Sequence, residues 1–270
     1  MFHLVLLFAA AALLGGGRSS NVNRHMKLLE MDNNIELNVQ SRQALRKFLT
    51  LTRKPSPLTL HPAGAPLELT CEALGAPAPS VHWFKNDAPV YEYDTESNEI
   101  IDTNPTSLAR VSSTLLVPRV EGRAEYSCLV AAGSITVKAS TVVYSTGEVP
   151  EPSERSKLVP LAPRILVSYK IFVDWIGSSV VLPCRAKGHP RPKVSWRDNA
   201  GRPATRDPRN EGTAREFRGL TKLDRGTVLR SGELVITSLR WSDMGEFVCQ
   251  AANMFGSQLA RTFVYPAKAE

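Results

Sequence analysis

The sequence predicts an all-β fold, two disulfide-pinned β-sandwiches in tandem, and three observations predict it. The first is a pattern that occurs twice: a cysteine, a tryptophan twelve residues on, then a second cysteine with an aromatic residue two places before it. The copies are Cys71, Trp83, Tyr126 and Cys128, then Cys184, Trp196, Phe247 and Cys249. A sandwich uses this set because a disulfide crosses the core from sheet to sheet and a tryptophan from a neighbouring strand packs on the sulfurs. The second is an internal repeat, Gly75-Ala76-Pro77-Ala78-Pro79-Ser80-Val81-His82-Trp83 against Gly188-His189-Pro190-Arg191-Pro192-Lys193-Val194-Ser195-Trp196. Its offset of 113 residues also superimposes Cys71 on Cys184. The third is size: 270 residues with 43% hydrophobic content hold two cores of roughly 100 residues each plus extensions.

The elements are justified in chain order. Leu4 to Leu14 is an unbroken apolar run followed by Gly15, Gly16 and Gly17, too short to span a bilayer but suited to a secretory leader over residues 1–17. Residues 18–54 form a polar extension in which Arg42 to Leu51 suits a short helix or a first strand. The first sandwich is expected over 55–147 and the second over 163–267. Leu67 to Cys71 and Val180 to Cys184 alternate with period two, as half-buried strands do. Each Gly-x-Pro-x-Pro is a stiff turn that delivers the chain to the tryptophan strand. Between the sandwiches, residues 148–162 carry Pro150, Pro152 and Pro160, the composition of a semi-extended spacer. Late in the second sandwich, Leu234-Val235-Ile236 follows the turn Ser231-Gly232-Glu233, and Ala251 to Gly256 supplies a hairpin before the last strand.

With these elements in place the chain resembles the intermediate-type immunoglobulin set, marked by Asp-x-Gly-x-aromatic-x-Cys and Ala-x-Asn-x-x-Gly. Asp243 to Cys249 and Ala251 to Gly256 match it, with Phe247 where a tyrosine is usual. The first sandwich departs further, with Gly122, Ala124 and Ala131-Ala132-Gly133 at those places, so its corner and hairpin are expected to be looser or differently shaped.

All four cysteines are used in the two bridges, which requires an oxidising compartment. No later segment suits a membrane span, and the tail Ala267 to Glu270 lacks a lipid-anchor signal. The net charge of +7 conceals two signs: residues 55–149 carry 5 Lys+Arg against 11 Asp+Glu (−6), and 164–270 carry 18 against 10 (+8). In an extracellular setting that basic balance points to heparan sulfate or cell-surface proteins, not to nucleic acid. Asp87 to Asp102 holds six acids and no base, without the spacing around a central glycine of a calcium loop; Thr205 to Arg230 is a basic insertion with seven bases against four acids. The five histidines have no metal-ligand spacing, and no nucleophile elbow, phosphate loop or zinc cluster occurs. No catalytic residue, metal or cofactor is therefore expected. Asn104-Pro105-Thr106 is blocked as a glycan acceptor by its proline, so sugar is not expected over either sheet.

Alternation then picks out candidate binding residues. If Val81, Trp83 and Cys128 point into the first core, Phe84 and Leu129 point out; if Ala260, Thr262 and Val264 point into the second, Leu259, Phe263 and Tyr265 point out. Exposed apolar side chains on a bare sheet mark an interaction surface.

Over roughly residues 45–267 the chain further resembles the family of secreted insect proteins typified by imaginal morphogenesis protein, late. The resemblance rests on Leu69-Thr70-Cys71, Ser80 to Trp83, Ala139 to Val143, Pro163-Arg164-Ile165, Leu182 to Arg185, Trp241 to Gly245 and the ending Thr262-Phe263-Val264-Tyr265-Pro266. It implies a secreted protein that captures insulin-like peptides and limits signalling through their receptor. A secreted adhesion or matrix protein, held through heparan sulfate by its basic half, is the alternative from another class.

Overall fold

The computed structural model describes residues 47–90, 106–147, 160–198 and 226–268. The expected leader, the spacer over 148–159, most of the acidic loop and residues 205–225 of the basic insertion lie outside the described residues. Residues 44–270 form one compact unit.

The strands are β1 (Phe48–Arg53), β2 (Leu58–Pro62), β3 (Leu67–Ala76), β4 (Ser80–Lys85), β5 (Ala88–Pro89), β6 (Leu108–Val117), β7 (Arg123–Ala132) and β8 (Ile135–Thr146), then β9 (Leu161–Trp175), β10 (Val180–Leu182), β11 (Cys184–His189), β12 (Lys193–Arg197), β13 (Gly226–Val228), β14 (Leu234–Ile236), β15 (Gly245–Asn253) and β16 (Gly256–Ala267). β6 alternates half-buried and buried without interruption, the signature of a strand with one face in a core. The expected strand before Cys184 is two strands, because Pro183 has no N–H for a ladder. β10 pairs with β14, and β11 with β9.

In the first sandwich β1-β3-β6 faces β2-β8-β7-β4-β5. In the second, β10-β14-β13 with β11 faces β16-β15-β12. Cys71–Cys128 and Cys184–Cys249 bridge the respective layers, with Cα atoms 6.6 and 6.4 Å apart. Trp83 and Trp196 are both buried and their indole N–H groups are satisfied differently: Trp83 Nε1 donates to Ser113 Oγ (3.0 Å), Trp196 Nε1 to the Gly232 carbonyl (2.9 Å). Gly232 has φ 102°, and a Cβ there would sit 2.6 Å from the Cys184 carbonyl, so only glycine fits beneath this indole.

Three expectations change. β1 forms within the polar extension and pairs with β3, so the first sandwich draws on residues before 55. The first hairpin is not loose: β7 and β8 pair over ten residues each up to Ala132↔Ile135, and Gly133 at φ 59° opens a two-residue turn of the kind that fits hairpin twist. The largest change is at the junction. β9 begins two residues before the expected boundary at 163 and pairs antiparallel with β6 of the first sandwich. Its second half also pairs, in parallel, with β16 of the second. One eight-stranded sheet, β1-β3-β6-β9-β16-β15-β12 with β11 on β9, therefore runs through both sandwiches. Phe172 of β9, opposite Ala109 on one side and Val264 on the other, lies in a single hydrophobic cluster that includes core residues of both.

Candidate ligand-binding face

Residues directly opposite one another in a ladder project to the same side of the sheet. The register thus defines a row across six strands: Thr50, Leu74, Arg110, Ile171, Phe263 and Glu246. At about 4.8 Å per strand it is roughly 24 Å long. The adjacent row holds Leu108, Val173 and Tyr265. Phe172, between Ile171 and Val173, points the other way and is buried. The two rows bring five apolar side chains, Leu108, Ile171, Val173, Phe263 and Tyr265, into one block across three strands. Within and beside it, Ile171 is 40% exposed, Tyr265 42%, Phe263 45% and Leu259 53%.

Charges frame this block and are paired with each other. Arg110 donates to Glu72 (2.9 Å), which also accepts from Ser112 (3.3 Å). Arg261 donates to Glu246 (2.9 Å). Trp241 meets Tyr265 edge-on at 6.0 Å, and the Lys268 ammonium lies 5.1 Å from the Trp241 ring. Toward β12 the face dips into a cleft of about 360 Å³ lined by Arg197, Asp198, Glu246, Val248, Gln250, Leu259 and Arg261. Such a surface offers apolar area with a polar rim, the anatomy of a protein-binding patch. Among the described residues no three His, Cys, Asp or Glu side chains group as they would around a metal.

The structure therefore brings Leu259, Phe263 and Tyr265 together and exposes all three. Phe84 and Leu129 sit elsewhere, half-buried on the outer side of the five-stranded sheet, opposite Ser127 and His82 respectively. The half-buried Leu108 and Val173 and the exposed Ile171 complete the block and escape a strand-by-strand reading, because Ile171-Phe172-Val173 is continuously apolar and nothing in one strand's alternation names its neighbour. The signal available was the apolar density of residues 165–173, where Ile165-Leu166-Val167 and Ile171-Phe172-Val173 follow one another within one strand length.

The immunoglobulin domain family model matches residues 50–131 and 163–253. The neural/ectodermal development factor IMP-L2 of Drosophila melanogaster is 30% identical over 274 residues, covering 96% of this chain and 94% of the relative. The chain belongs to the IMP-L2 family of two-domain immunoglobulin proteins. The crystal structure of IMP-L2 aligns with a TM-score of 0.66 at 29% identity, over 84% of this chain and 98% of that one. The Caenorhabditis elegans zwei Ig domain protein zig-4 is 26% identical over 98% of this chain and 97% of its own. Among the described residues no helix is long and apolar enough to cross a membrane.

Proposed function

We propose that this IMP-L2 family member is a secreted binding protein that sequesters insulin-like peptides on the outer face of its eight-stranded sheet. The carrying observation is the block of Leu108, Ile171, Val173, Phe263 and Tyr265, which neither sandwich builds alone. The family resemblance supplies the ligand class, and the two disulfides fit an oxidising, extracellular setting. Capture of this kind needs no catalytic group. It works by lowering free hormone, so its reach depends on the dissociation constant relative to hormone concentration.

Calorimetric titration of the disulfide-intact protein with an insulin-like peptide, at low and at raised salt, tests this. Saturable, salt-tolerant binding with a negative heat-capacity change is expected, since burial of apolar area carries that signature. Absence of binding across a panel of such peptides overturns the reading. A second reading, attachment to heparan sulfate or a cell-surface protein, is favoured by the exposed Arg191, Lys193 and Arg197 on and just before the edge strand β12. It predicts binding that weakens steeply as salt rises.

A further inference from the structure

Behind the junction, on the side of β6 and β9 opposite the exposed block, lies a cleft of about 300 Å³. That is the lower end of the range for small-molecule sites, ~300–1,000 Å³, and a domain junction is a usual place for one. Its walls are apolar: Val81 and Val111 from the first sandwich, Val167 and Phe172 from β9, Val180 and Val181 from the second. The charged pair at its edge is already matched, since Arg185 bonds Glu233 at 3.1 Å, and Glu233 also accepts from Ser231. Ser107, likewise on the wall, accepts from the Ala78 amide at 3.2 Å.

One polar group is different. Tyr169 lines the cleft, is only 6% exposed and stacks on Phe172 with ring centroids 5.5 Å apart. Its carbonyl accepts from Thr262, but its hydroxyl takes part in no hydrogen bond among the described residues. The hydroxyl oxygen is not among the fully buried polar atoms left without a partner, so it keeps a little accessible surface through which an acceptor brought by a ligand can reach it. We infer that the junction cleft binds a small, uncharged lipophile carrying a carbonyl-type acceptor, which the Tyr169 hydroxyl meets while the valine walls and Phe172 enclose its hydrocarbon. Burial pushes the Tyr169 pKa up to about 12, so the group remains a donor throughout the physiological range. A charged ligand is disfavoured, because the Arg185–Glu233 pair leaves no net charge at the wall to meet it.

Two uncharged dyes test this on the full disulfide-bonded chain: Nile red, which has a carbonyl acceptor, and N-phenyl-1-naphthylamine, which has none. Saturable one-to-one binding of both is expected. Val181→Trp, on the half-buried wall, should abolish both; Tyr169→Phe, which keeps the ring, should weaken Nile red about fivefold and leave the naphthylamine within twofold. Phe263→Asp, on the outer face, should change neither. No saturable binding, or binding removed by Phe263→Asp but not by Val181→Trp, overturns the site. Equal response of the two dyes to Tyr169→Phe overturns the role of the hydroxyl and with it the acceptor requirement.

Discussion

The outward faces of the five-stranded and eight-stranded sheets differ in how charge interrupts them. On the five-stranded sheet the rows read Leu58, Val142, Glu125 and Leu60, Tyr144, Arg123, with Leu129 between Lys138 and His82. Leu58 and Leu60 are 56% and 66% exposed, yet each apolar run ends after two strands at a charged residue. Arg123 further covers Tyr144, its Nε donating to the phenol oxygen at 3.1 Å. On the eight-stranded sheet the corresponding rows run apolar across three strands at the junction. The difference comes from β9. A strand that belongs to the second sandwich but pairs with the first places Ile171 and Val173 between Phe263 and Tyr265 on one side and Leu108 on the other. A continuous apolar patch is what binds a protein partner; scattered exposed leucines are ordinary surface.

The widest break in this comparison comes from the reverse side of the same strand. Phe172 is 4% exposed and touches both cores, so Phe172→Ala should cost about 3–5 kcal/mol. In urea unfolding followed by tryptophan fluorescence, wild type should show one transition for both sandwiches and the variant a markedly lower midpoint. A loss below about 1 kcal/mol would mean the junction is not packed, and the outer face would then be two surfaces, not one.

The binding comparison should respond next most strongly. Phe263→Asp places a charge at the centre of the block, opposite Ile171 and beside Glu246. Loss of a central aromatic anchor costs ≥ ~2 kcal/mol, so affinity for an insulin-like peptide should fall at least about 30-fold with little change in melting temperature. Unchanged affinity places the ligand elsewhere.

Between these and the small effects stands Tyr169, whose proton separates the folded from the unfolded protein. The unfolded chain ionises near pH 10, whereas the folded one holds the proton to about 12. The raised folded pKa means the stability is fully present below pH 10 and is lost as pH rises toward 12, by up to about 1.4 kcal/mol per unit. Urea midpoints at pH 9 and pH 11 should drop more for wild type than for Tyr169→Phe. An identical drop would mean that the phenol ionises as freely in the folded protein as in the unfolded chain, and that burial does not hold its proton.

Each sandwich was legible in the sequence because its defining contacts recur at fixed spacing within one domain: cysteine to tryptophan, aromatic to cysteine, and the alternation that exposes Leu259, Phe263 and Tyr265. The junction was not. Proline-rich composition describes the backbone of a spacer but carries no information about the pairing of the next strand. The β6–β9 pairing joins residues near 110 to residues near 171 through backbone groups that every residue carries. Phe84 and Leu129 illustrate the same limit. Alternation turns them away from the first core, but only the sheet's neighbours decide whether an outward residue joins a patch or stands among charges.

The smallest expected effect is therefore the one that most directly separates the two faces. Phe84 is half-buried, flanked by Ser127 on one strand and Pro89 on the other, with the exposed Lys138–Asp87 pair on the same sheet. Truncation to alanine removes some packing but opens no fully buried cavity, so Phe84→Ala should lower stability modestly, by about 1 kcal/mol. Peptide affinity should stay within about twofold, because no contiguous apolar area surrounds the lost ring. An affinity loss rivalling that of Phe263→Asp would invert the comparison. The ligand would then sit on the five-stranded sheet, and the strand shared between the sandwiches would serve to hold them together without forming the binding surface.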